Sequence, residues 1–172
     1  MEATNAESRA RARRCHCRTR KDAQLPEFTI TRQIGAPVEK VWEVLNDFGD
    51  IYKWSPGVTA SELTSEGAVA KGSTRHCDFA PFGGVNERIE RHEPHERLTV
   101  NLFETFKLPI SGAIADFNIA PKDGGTELNL HYSYTPNMLG RLIKGYTDKQ
   151  MRKGIAGLAK GLQIESERIH AA

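Results

Sequence analysis

Residues 113–134, AIADFNIAPKDGGTELNLHYSY, constrain the fold more than any other stretch of the chain. Lys122-Asp123-Gly124-Gly125 is a hairpin signal, because its glycines supply the backbone freedom that a tight reversal needs. Closing Pro121 against Thr126 sets Ile119 opposite Leu128, Phe117 opposite Leu130, Ala115 opposite Tyr132 and Ala113 opposite Tyr134. Side chains alternate faces along a strand, so all eight share one side. Asp116, Asn118, Glu127, Asn129, His131 and Ser133 fall on the other, which is polar. Such a ribbon belongs to an antiparallel sheet with one face covered and one wet. On the covered face two alanines meet two tyrosines. That arrangement either interdigitates tightly or leaves space beside the rings, and a phenol turned inward needs a hydrogen-bond partner.

The rest of the chain supplies the cover. Residues 28–34, FTITRQI, read as a strand that stops at Gly35-Ala36-Pro37. Pro37 suits the first position of a helix, and Val38, Val41, Trp42 and Leu45 recur at helical spacing up to Gly49. Residues 50–54 form a second short helix, ended by Ser55-Pro56-Gly57. Strands are expected at 58–63, 74–79, 85–91, 98–103, 113–121 and 126–134, and after Pro136 the chain reads as helical to its end. Met151, Ile155, Leu158, Leu162 and Ile169 make one apolar stripe. The helix from 151 to 169 extends about 28 Å. Small residues (Gly154, Ala156, Gly157, Ala159, Gly161) dot it. The fold class is α+β: a meander of antiparallel strands with a long amphipathic helix across its apolar face.

Charge divides the chain. Residues 1–24 hold seven basic and three acidic side chains, a net +4, whereas the whole chain carries +2, leaving −2 for residues 25–172. With almost no large apolar residue before Leu25, the segment 1–24 is expected to be a disordered basic tail, and residues 25–172 the ligand-binding domain. The tail reads as a solvated extension, as an arginine-rich contact for nucleic acid or anionic lipid, or as a transit peptide, against which Glu2 and Glu7 stand. No apolar run is long enough for a membrane span or a secretory signal. Cys15, Cys17 and Cys77 cannot supply a disulfide framework, which points to the cytoplasm. Cys15-His16-Cys17 lacks a second ligand pair, so no metal is assigned and no cofactor is expected.

Pairing residues 75–79 with 85–89 by closing Phe79 against Val85 sets Cys77 against Glu87 and Arg75 against Ile89. Continuing sets Ile89 against Leu98, Glu87 against Val100 and Val85 against Leu102. Arg75 and Glu87 then share the apolar face as diagonal neighbours. Each is too costly to bury alone, so they either pair as a register-fixing ion pair or meet a polar ligand. His92 and His95 are placed in a solvated turn beside Pro94, and His76 and His131 on the outer face. No phosphate loop, G-x-S-x-G or H-E-x-x-H occurs.

The stretches APVEKVWEVLNDFGDIYKWSPGV, GSTRHC, VNERIERHEPHERL, LPI and GGTELNLHYSY, followed by the glycine-dotted terminal helix, resemble the START/Bet v 1-like superfamily. Within it the chain is similar to the SRPBCC polyketide cyclase/dehydrase and lipid-transport group over residues 28–169. The resemblance implies a helix-grip fold, a curved antiparallel sheet wrapped around a long C-terminal helix, with a deep apolar cavity. It sets Tyr52 and Trp54 near the entrance, unless these rings simply pack a short helix on the sheet. It implies a small hydrophobic ligand, lipid- or polyketide-like, in a carrier or sensor role. The alternatives are a cyclase or dehydratase acting in the same cavity and an interaction module like the chaperone-activating relatives. The candidate ligand-binding residues are Trp54, Arg75, Glu87, Val100, Ala115, Phe117, Tyr132, Tyr134 and Leu158. No catalytic residue carries over. The chain is expected as a monomer or homodimer, with nucleic acid contacted only through the tail, if at all.

Overall fold

The computed structural model describes residues 25–81 and 83–172, so the expected tail, 1–24, lies outside the described residues. Seven strands and three α-helices follow: β1 Glu27–Ile34, α1 Val38–Asn46, β2 Val58–Leu63, β3 Thr74–Phe79, β4 Gly84–Glu93, β5 Arg97–Phe106, β6 Ile110–Lys122, β7 Gly125–Pro136, α2 Met138–Leu142 and α3 Lys144–His170. A 3-10 helix, Phe48–Lys53, stands where the second short helix was expected. Pro37 is the extended cap residue (ψ 156°), one position before the helical start expected for it, and α1 ends three residues before Gly49.

Among the described residues one antiparallel sheet contains every strand, in the order β1-β7-β6-β5-β4-β3-β2. Its apolar side curves around α1 and α3. The β6–β7 register is the one read from the sequence, with Ile119, Phe117, Ala115 and Ala113 opposite Leu128, Leu130, Tyr132 and Tyr134. Two other hairpins differ from expectation. Cys77 pairs with Val85 and Arg75 with Glu87, because Gly83 (φ 113°) reverses the chain tightly enough for the Phe79 N–H to reach the Gly83 carbonyl at 2.9 Å. β4 and β5 run on to Glu93 and Arg97, closing around His95 at φ 66°, so Glu87 faces Leu102 and Ile89 faces Val100. The first slip is by two residues. The second is by two at Glu87 and Ile89 and by three beyond the irregularities that flank them, so Val85 pairs with Thr105 rather than Leu102, while Arg75 and Glu87 keep their inward facing. His92 consequently lies on β4 rather than in a turn. Its ring meets Trp42 of α1 at 5.0 Å, and its Nε2 bonds Asn46 Oδ1 at 2.8 Å.

The C-terminal segment is two helices. Asn137 caps α2, its Oδ1 accepting from the Gly140 N–H at 2.9 Å, and a Cβ on Gly140 would stand 1.9 Å from the Pro109 carbonyl oxygen. The chain bends at Ile143, and Thr147 is buried in the bend. Met151, Ile155, Leu158, Leu162 and Ile169 all pack on the core, as their stripe implies.

Candidate functional site

Between the concave face of the sheet and α3 lies a cavity of about 250 Å³. Val85, Val100, Ala115 and Phe117 form its floor, Met151, Ile155 and Leu158 its roof, and Leu108 and Ile110 one end. It reaches solvent between exposed Pro56 and Gly57 on one side and exposed Gly154 on the other. A Cβ on Gly154 would meet nothing within 4 Å. At Gly161, two turns on, a Cβ would strike the Trp54 carbonyl oxygen at 2.0 Å. The glycine at 161 therefore lets α3 press against the loop after the 3-10 helix, while the one at 154 leaves the mouth open.

Among the described residues, the charged groups of the wall stand together at one place. Arg75 and Glu87 are both buried, and Arg75 Nε donates to Glu87 Oε2 at 2.5 Å. Arg75 Nη1 donates to the Phe48 carbonyl at 2.7 Å, and the guanidinium stacks 3.9 Å from the Phe48 ring. One arginine thus ties β3 to β4 and to the 3-10 helix. Cys77 Sγ lies 3.8 Å from Glu87 Oε2; burial first, then the Glu87 charge, push the thiol up to about 12, so it stays protonated. The Tyr132 hydroxyl makes no protein hydrogen bond among the described residues, and burial, followed by the nearby Glu87, holds its pKa above the ordinary phenol value.

Of the nine expected residues, Arg75, Glu87, Val100, Ala115, Phe117, Tyr132 and Leu158 come together on the wall. Two do not. Tyr134 stands behind Tyr132, ring centres 6.1 Å apart, with its hydroxyl bonded to Asp148 of α3. Trp54 packs beside α3, outside the lining, and Tyr52 is exposed, so neither ring frames the entrance. Ile51 and Ser55 take that place. Cys77, Gln150 and Met151 also line the cavity without having been singled out as ligand contacts. Strand alternation from Arg75 points to Cys77, and the helical stripe to Met151. Gln150 carries no such signal. Among the described residues no three metal-ligating side chains come together.

A hollow between a curved sheet and a terminal helix agrees with a family model that matches residues 26–163, described as polyketide cyclase/dehydrase and lipid transport. The chain belongs to this family. No curated protein matches it in sequence. Solved structures share the helix-grip fold of this family member. A START superfamily protein from Mycobacterium smegmatis is 14% identical with a TM-score of 0.70, covering 83% of this chain and 98% of that one. The Zhui aromatase/cyclase from Streptomyces sp. R1128 is 16% identical with a TM-score of 0.68, covering 84% and 94%. A protein from Thermus thermophilus, TTHA0849, is 20% identical with a TM-score of 0.69, covering 82% and 97%.

Proposed function

We propose that the protein carries or senses a compact, uncharged, mainly apolar molecule, held in the cavity with its polar end toward Arg75, Glu87 and Tyr132. The observation that carries this reading is an apolar hollow in which the charged residues of the described lining, Arg75 and Glu87, neutralise each other. Arg75 and Glu87 cancel each other, so an anionic ligand would set a second negative charge against one cation where water cannot screen it. A ketone, alcohol or phenol meets no such penalty. The guanidinium has five N–H donors, and two are used, by Glu87 and Phe48. Tyr132 offers its hydroxyl as well. The volume of about 250 Å³ lies just below the usual range of ligand pockets, roughly 300–1,000 Å³, which favours a compact molecule of up to three fused rings over a two-chain lipid.

The test is displacement of 1-aminoanthracene, a neutral fluorescent probe, from the full-length protein. It should be taken up, and 2-naphthol should displace it at least tenfold better than 2-naphthoate. Absence of displaceable uptake would remove the carrier reading, and equal displacement by the two compounds would remove the argument from charge.

The polar cluster also supports a second reading, and the likeness to an aromatase/cyclase gives it weight. Arg75 would polarise a carbonyl while Glu87 moves a proton, as cyclisation or dehydration of a polyketide-like substrate requires. The grip of Arg75 on Glu87 favours binding over proton transfer. Turnover that disappears in Glu87→Gln while binding of the neutral probe survives would reverse that preference.

A further inference from the structure

The α2–α3 junction carries two features that the cavity does not use. Met138 and Leu142 are each 84% exposed, Tyr146 61% and Leu139 57%, a group of large apolar side chains with almost nothing packed over them. Around them residues 138–153 hold five basic side chains, Arg141, Lys144, Lys149, Arg152 and Lys153, against Asp148 alone. That is a net +4 within a part of the chain, 25–172, that sums to −2. Asp148, moreover, is engaged by the Tyr134 hydroxyl. All five basic residues are exposed.

The arrangement is that of a helix lying on a membrane: apolar side chains on a short amphipathic segment, flanked by long cationic ones. Tyr146, Lys149 and Lys153 follow at i, i+3 and i+7 and share one side of α3. Buried Thr147 and the cavity residues Met151 and Leu158 lie on another. Tyr146 is one turn before Gln150, which lines the cavity, so the patch adjoins the mouth. A folded protein partner would need a separate recess for each of four projecting side chains, whereas hydrocarbon accommodates any shape. Among the described residues no helix is long and apolar enough to cross a membrane, so a contact made here lies on the surface.

We propose that the α2–α3 junction docks on an anionic membrane surface, Met138, Leu139, Leu142 and Tyr146 entering the boundary between headgroups and acyl chains while the flanking lysines and arginines meet anionic headgroups. The cavity mouth then faces the lipid phase, from which a poorly water-soluble molecule enters or leaves. The docking stands whatever the cavity holds.

Vesicle sedimentation tests it with the full-length chain. Vesicles of phosphatidylcholine alone are compared with vesicles containing a quarter phosphatidylglycerol, at low and high salt. The protein should bind only the anionic vesicles and release with salt. Leu139→Ser with Leu142→Ser, and separately Lys144→Glu with Lys149→Glu, should each weaken binding by at least about tenfold. Both pairs lie at exposed positions, so circular dichroism should show unaltered melting. Binding undiminished in both variants would overturn the proposal and assign membrane contact to residues 1–24. Failure of the wild-type chain to bind anionic vesicles would overturn it too, leaving an acidic protein as the partner this patch fits.

Discussion

Arg75 and Glu87 are two residues on neighbouring strands whose value depends on each other. Paired, their charges cancel inside the sheet; separated, either is an uncompensated ion in an apolar wall. Arg75→Met alone should therefore destabilise the protein by about 3–5 kcal/mol, and adding Glu87→Leu should recover most of that loss. Urea unfolding of the two variants measures both steps, and a double variant no better than the single would contradict the account. Strand alternation was enough to place both residues on the apolar face, because facing depends only on parity. It could not say that they stand directly opposite, because the reversal at Gly83 closes two residues tighter than a simple loop. Tyr134 shows a different limit. Its inward facing was legible, but Asp148 of α3 captures its hydroxyl, and no pairing rule within the sheet foresees a partner on a helix.

At the scale of elements, the outer face of the β5–β6 ribbon is held by a polar network around Asp116. The carboxylate accepts from Arg97 Nε at 2.8 Å, Arg97 Nη2 at 2.6 Å, Thr99 Oγ1 at 2.7 Å and Asn118 Nδ2 at 3.3 Å. Burial pushes the acid's pKa up, but the bonds from Arg97, Thr99 and Asn118 outweigh it and hold the value below 3.8. A carboxylate more acidic folded than unfolded stabilises above its unfolded pKa, and the contribution is lost as the pH falls through the folded value. Asp116→Asn should therefore lower the urea midpoint near neutral pH, and the gap to wild type should close below about pH 3.8. A gap that widened in acid would refute the assignment. The strands themselves were legible to within three residues at either end, because one-sided alternation marks most of them; β2, with no buried side chain, was set off only by the turn residues before it. The break between α2 and α3 was not, since it depends on Gly140 lying against Pro109, a contact between distant segments.

For the whole molecule, the hollow is a choice of function over stability. A sheet and a helix of this length could have met in full contact, yet their small residues hold them apart at the mouth. Ala113 and Ala115 face two tyrosines, while Gly154 presents nothing to the space before it. A glycine inside a long helix costs about 1 kcal/mol relative to a good helix former, and a void gives up dispersion contacts that a filled core would make. Gly154→Leu removes both losses at once: it restores helix propensity and sends a side chain into the opening. It should raise stability by about 1 kcal/mol or more and sharply reduce uptake of 1-aminoanthracene, the opposite signs expected where a site is kept open at the expense of the fold. Urea unfolding and probe fluorescence on the same sample read the two effects. Vesicle binding should be retained, because the inserting side chains, which end at Tyr146, lie about two turns before Gly154. A variant that gained stability and still took up the probe unchanged would mean that small molecules enter elsewhere.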